Sequence, residues 1–152
     1  MKVVSVDGIR KRDTMVVAGW VASQAKVEKP DRIMVDVIGI GAGVFDRLQE
    51  QGFPVIAVNV AERASNREFY GRLRDELWGN LKEALKEGLS LPEDEELLGQ
   101  LSAPKYSFDS AGRIVIERKK DMKKRGIDSP DRADALALTF TPTGFFGCCD
   151  LT

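Results

Sequence analysis

The chain has no histidine anywhere in its 152 residues. That absence excludes Ser-His-Asp and Cys-His nucleophiles, His-ligated zinc and imidazole as a general base. Cysteine is nearly as scarce. Cys148 and Cys149 are adjacent near the C-terminus, so they provide neither a disulfide framework nor a four-ligand metal site. A reducing, intracellular setting is expected over secretion. The opening MKVVSVDG lacks the apolar stretch of a signal peptide, and no window approaches the roughly 20 apolar residues of a membrane span. Neither sign of charge is in excess: 23 Lys+Arg stand against 24 Asp+Glu, a net of −1. That balance argues against a surface that is an electrostatic DNA clamp throughout. Carboxylates, lysines, hydroxyls, thiols and bound hard cations remain available for chemistry.

The length suits one domain with a core of its own, spanning 1–152, with a tail of about 141–152 expected to be flexible. Lys2 to Asp7 is β-branched and ends at Gly8, which predicts a strand. A helix over about 13–29 follows, capped by Asp13 or Thr14, with Val17, Trp20, Val21 and Ala25 at helical spacing. Arg32 to Ile38 is an apolar run broken by one carboxylate, which suits a strand covered on both faces. A glycine turn over 39–43, a helix to about Gln51 and a strand over 54–60 complete an α/β pattern with a parallel sheet. A long helix is predicted from about Glu68 to Glu87, with Phe69, Leu73, Leu77, Trp78, Leu81 and Leu85 as its core stripe. A short helix to Leu101 and a hairpin over 106–116 come next. A basic linker then leads to a last helix from Arg132 to about Phe140, with Ser129 as N-cap and Pro130 in its first turn.

Asp36 is the most informative residue. An ionised carboxylate among Ile33, Met34, Val35, Val37 and Ile38 is costly unless paired, hydrogen-bonded or bound to a cation. At the carboxyl end of a parallel strand it would face the crevice where α/β proteins bind ligands. An aspartate that merely caps the glycine turn is an equally good reading of its position. Asp131 and Asp134 lie three apart at a helix start, on one face, where the helix dipole favours them. An ordinary acidic first turn would look the same. Taken with Asp36, they suit Mg²⁺ or Mn²⁺, hard ions that take oxygen ligands and can drive phosphodiester cleavage in pairs.

The near-neutral total hides a partition. Residues 104–125 hold eight basic against three acidic residues, a net of +5, while 83–96 hold six acids and one lysine, a net of −5. A phosphate backbone would be drawn to the first of these, although a solvated surface segment is the usual origin of a charge run. Gly39, Gly41 and Gly43 look like a dinucleotide loop, but Val44 stands where the third glycine belongs and no P-loop Gly-Lys-Ser/Thr occurs. More plausibly these glycines let backbone crowd around Asp36.

The series from Val35 to Leu48 (VDVIGIGAGVFDRL) resembles the second acidic motif of the nuclease domain of large terminase subunits, the DNA-packaging motors of tailed bacteriophages. The series from Ser129 to Phe140 (SPDRADALALTF) resembles that domain's last acidic motif. Asp121 to Gly126 and the hairpin from Tyr106 to Glu117 look like the family too, so the resemblance spans about 3–140. It implies a ribonuclease H-like α/β fold, a mixed sheet flanked by helices, cutting double-stranded DNA with Mg²⁺ or Mn²⁺ held by three acids. By resemblance Asp36 is the second acid, Asp134 the third and Asp131 an auxiliary metal ligand. Arg118, Lys119, Lys120, Lys123, Lys124 and Arg125 would guide the duplex. The terminase small subunit and portal would be partners, in the bacterial host cytoplasm.

One departure stands out. The family's first acid lies on the first of three antiparallel strands ahead of the first helix, and here one strand precedes that helix. It matches the third, edge strand, so Asp7 does not suit the first acid. The resemblance therefore implies a fragment lacking the first two strands and the ATPase motor, a prophage remnant or separately encoded piece. Weak or no activity is expected of it. The rival expectation is a non-catalytic module that binds DNA or protein only.

Overall fold

The computed structural model describes residues 1–9 and 13–142. Most of the expected tail, with Cys148 and Cys149, lies outside the described residues. In chain order the elements are α1 (Thr14–Glu28), β1 (Ile33–Asp36), α2 (Gly41–Glu50), β2 (Val55–Val58), α3 (Leu73–Lys86), α4 (Glu95–Ser102), β3 (Tyr106–Phe108), β4 (Ile114–Ile116), α5 (Lys119–Lys124) and α6 (Asp131–Leu138). They fall into two compact units. One contains Ile9–Val60, the other Met1–Gly8 with Ala61–Thr141.

In the unit containing Ile9–Val60, Asp13 caps α1 by accepting from the Met15 N–H at 2.8 Å and the Val16 N–H at 3.3 Å. The helix ends at Lys29 in a left-handed conformation (φ 46°), whose N–H reaches the Ala25 carbonyl at 2.9 Å. Its buried face is Ala18, Ala22 and Ala25. Val17 and Val21 flank that face, whereas the sequence pattern had placed them with Trp20 at its centre. The core explains the choice, because Ala18 and Ala22 pack with Val44 and Leu48 of α2 and small side chains allow that close contact. β1 and β2 pair in parallel with Asp36 opposite Val58. Both strands are shorter than expected, and β1 is half-buried along its length instead of covered on both faces.

The glycine loop is built around Asp36 itself. A Cβ on Gly41 would lie 1.7 Å from the Asp36 carbonyl oxygen, so the first turn of α2 rests directly on the end of β1. Gly39 serves differently, adopting φ 69° in the turn between them.

In the other unit the expected strand Lys2–Asp7 does not form. Lys2 makes a single parallel bridge to Ser90, with the Val3 N–H on the Ser90 carbonyl at 2.8 Å, and Val4 is 81% exposed. A β-branched run needs a neighbouring strand over several residues, and Ser90 offers only one position. α3 begins at Leu73, five residues later than its periodicity suggests, and Phe69 is outside it and exposed. The buried Glu76 carboxylate ties down residues 61–72, accepting from the Ser65 N–H at 2.7 Å, the Asn66 N–H at 3.2 Å and the Ser65 hydroxyl. Leu73, Leu77 and Leu81 of α3 are buried, as are Ala133, Leu136 and Ala137 of α6, and the two helices pack together. The hairpin forms as expected, with Tyr106 opposite Ile116 and Phe108 opposite Ile114.

Two local expectations are corrected. The basic linker contains a helix, α5, whose fully buried Met122 is the apolar anchor in an otherwise polar six-residue stretch. Ser129 does not cap α6. Pro130 stands at the cap position, and the Gln100 side-chain carbonyl accepts from the Arg132 and Ala133 N–H groups at 2.7 and 3.3 Å. The orphan donors are thus satisfied from α4, by a residue distant in sequence.

Gly41→Ala is expected to lower the free energy of urea unfolding by about 1–3 kcal/mol, the range for overpacking. Gly19→Ala on α1, where an added methyl meets nothing within 4 Å, is expected to raise it by about 0.5–1 kcal/mol. The opposite ranking in urea titrations contradicts the contact.

Candidate active site

The first turn of α6 presents Asp134 to donors from two other elements. Its Oδ1 accepts from Trp78 Nε1 at 2.8 Å and Arg74 Nη2 at 3.3 Å, both on α3. Its Oδ2 lies 2.9 Å from Lys119 Nζ on α5. The Arg74 guanidinium also reaches the Glu117 carbonyl at 3.1 Å and lies 6.0 Å from the Trp78 ring centroid. Lys119 Nζ lies 3.0 Å from Asp131 Oδ1 as well, so one ammonium bridges the two aspartates. Burial pulls the Lys119 ammonium down, but Asp134 and Asp131 outweigh it and hold its pKa above the usual lysine value. The Ser129 hydroxyl donates to Asp131 Oδ1 at 2.6 Å. Asp131 is largely exposed, whereas Asp134 is mostly covered.

Asp36 ends β1, and its Oδ1 accepts from the Ile38 N–H at 3.1 Å. It therefore does cap the glycine turn, one of the two roles its position suggested.

The basic segment is less uniform than its composition. Arg125 is committed to Glu117, at 2.9 and 2.6 Å, and to the Ala103 carbonyl at 3.0 Å, fastening α5 to neighbouring backbone. Lys124 pairs with Asp121 at 2.8 Å, and Lys119 is held by the two aspartates. Among the described residues, Arg118, Lys120 and Lys123 have no carboxylate within ion-pair distance, and all three are exposed.

Sequence reasoning missed Arg74 and Trp78 as partners of Asp134, and it missed the buried acids Asp75 and Glu76. The one signal available was a string of charges inside the apolar pattern of α3. Asp75 lies around the helix from Leu73 and Leu77, yet it is only 4% exposed, because β4 packs there and the Ile116 N–H donates to its Oδ1 at 2.9 Å.

The parallel strand pair of one unit and the helices and hairpin of the other give an α/β fold. The solved structures that match it are nuclease domains of phage large terminase subunits. The domain from bacterial virus Sf6, solved with manganese and beta-thujaplicinol, superposes with a TM-score of 0.68 at 21% identity, covering 81% of this chain and 70% of that one. The large terminase nuclease from thermophilic phage G20c with bound cobalt gives 0.65 at 18% identity, over 87% of this chain and 63% of that one. Its magnesium-bound form gives 0.53 at 21% identity, over 80% and 60%. No family model and no curated protein matches the chain.

Asp131 and Asp134 in one unit, and Asp36 in the other, each offer only oxygen, the donor type that hard divalent ions take. Among the described residues, however, no group of three or more acids or thiols stands together as a ready ligand set. No helix among them is long and apolar enough to cross a membrane.

Burial raises the Asp75 carboxyl above its usual range, against the Ile116 N–H and the charges of Arg74 and Arg72, which lower it. The folded state thus binds this proton more tightly than the unfolded chain, whose aspartate titrates near about 3.9. Stability contributed by Asp75 therefore falls as pH rises through the window above that value, and the penalty persists at neutral pH. Asp75→Asn keeps the acceptor for Ile116 and is expected to flatten that dependence in urea midpoints taken from pH 4 to 7. Asp75→Ala orphans the Ile116 N–H and is expected to lose about 1–3 kcal/mol. An unchanged pH profile in Asp75→Asn contradicts the assignment.

Proposed function

We propose that this chain is the metal-dependent DNA endonuclease portion of a phage large terminase, with Asp36 and Asp134 as principal metal ligands and Asp131 as an auxiliary one. The observation that supports it most is positional. Asp36 ends a parallel strand and Asp134 opens a late helix, in a chain whose fold matches nuclease domains solved with manganese, cobalt and magnesium. Bound Mg²⁺ or Mn²⁺ would supply an activated water and stabilise the leaving oxygen in phosphodiester hydrolysis. Arg118, Lys120 and Lys123 make no ion pair among the described residues, so they are the members of α5 and its cap best placed to meet phosphates. Lys119 supplies charge beside the aspartates, while Lys124 and Arg125 chiefly hold α5.

Double-stranded DNA is the substrate in this reading, and cutting would accompany packaging in the host cytoplasm with the small subunit and portal. This reading names two principal acids, Asp36 and Asp134. A second reading, a non-catalytic module that holds DNA or protein, is favoured by one observation: the Lys119 ammonium already bridges Asp131 and Asp134.

Calorimetric titration with Mn²⁺ separates the two. The proposed nuclease is expected to bind Mn²⁺ at millimolar concentration or tighter, with at least about tenfold weaker binding in Asp36→Ala and Asp134→Ala, or about 1.4 kcal/mol. Absence of binding by the parent protein at millimolar Mn²⁺ supports the DNA-holding module and overturns the nuclease.

A further inference from the structure

Residues 61–72 hold three arginines, Arg63, Arg67 and Arg72, against Glu62 and Glu68, a net of +1 outside the basic segment. Arg63 and Arg72 face each other across an antiparallel bridge. Two backbone bonds frame it: the Leu73 N–H reaches the Glu62 carbonyl at 2.8 Å, and the Ala64 N–H reaches the Gly71 carbonyl at 3.5 Å. Because those bonds flank the pair, Arg63 and Arg72 occupy a non-hydrogen-bonded position, where opposed side chains approach most closely. Like charges at such a position are destabilising. Yet neither arginine has a carboxylate within ion-pair distance, and both are exposed. The charge of Arg72 does act on Asp75, but that carboxylate is buried and accepts from the Ile116 N–H. The buried Glu76 carboxylate holds the backbone just beyond Arg63, accepting from the Ser65 and Asn66 N–H groups. Two exposed arginines without an ion pair thus stand opposite each other on one face of a bridge.

We propose that Arg63 and Arg72 form a clamp for a phosphate group, whose charge relieves their repulsion and whose oxygens accept from both planar forks. The occupant is a backbone phosphodiester of the DNA, which makes this loop a second duplex contact besides α5. That identification rests on the proposed nuclease reading; the anion clamp itself does not.

The test uses the intact chain, Arg63→Gln, Arg72→Gln and the charge-preserving Arg63→Lys. Thermal unfolding is followed in inorganic phosphate against chloride at equal ionic strength, and anisotropy of a labelled DNA duplex is followed from 50 to 200 mM salt. Each glutamine variant is expected to lose most of the phosphate-specific rise in Tm while melting no lower than the parent in chloride, because a repulsion has been removed. The slope of log K against log salt is expected to fall by about 0.9, the loss of one neutralised phosphate, and Arg63→Lys should retain it. Equal phosphate responses in parent and glutamine variants overturn the clamp, whatever the DNA result. A phosphate response lost in the variants, without duplex binding by the parent, supports the clamp and contradicts a DNA occupant. Duplex binding with an unchanged slope keeps the nuclease reading and removes this loop from it.

Discussion

The Asp134 carboxylate is the point on which its unit depends. It takes an indole N–H and a guanidinium from α3 and an ammonium from α5, so three helices meet at one side chain of α6. The small residues behind it, Ala133 and Ala137, are buried and let α6 approach α3 closely enough for those bonds to form. A mostly covered carboxylate is tolerable only when its charge is answered, and here it is answered twice over. Lys119 matters most in functional terms, because it contacts Asp131 and Asp134 with a positive charge, as a metal ion would.

Around Asp36 the controlling constraint is steric. β1 ends on a carbonyl so close to α2 that only glycine fits at position 41, and the carboxylate of the same residue turns back onto the Ile38 N–H. The local sequence is therefore fixed on both sides of the acid. A rigid strand end suits a metal ligand, since a side chain mounted on it loses little further freedom on binding.

Much of this was legible in the residues alone. Hydrophobic periodicity located α1, α2, α3 and both parallel strands, and the position of Asp36 before a glycine turn foretold its bond to the Ile38 N–H. What escaped was everything decided by a partner distant in sequence. The run at Lys2–Asp7 found only Ser90 beside it, α6 took its cap from Gln100, and Asp75 is buried because β4 lies over it. α5 escaped because one buried methionine leaves no period to detect. Composition likewise overstated the basic segment, since Arg125 and Lys124 are spent on Glu117 and Asp121.

The net charge of −1 thus resolves into local arrangements: ion pairs within the fold, and cations that make none among the described residues, Arg118, Lys120, Lys123, Arg63 and Arg72 among them. Electrostatic competition at Asp134 is the most exacting consequence. If this carboxylate is a metal ligand, Lys119 and a divalent ion contend for the same oxygens. Free Mn²⁺ measured by electron paramagnetic resonance across a titration of the parent protein and Lys119→Ala tests that directly. The account predicts tighter Mn²⁺ binding in Lys119→Ala by about tenfold, roughly 1.4 kcal/mol. Equal or weaker binding in that variant contradicts the placement of a metal at Asp134.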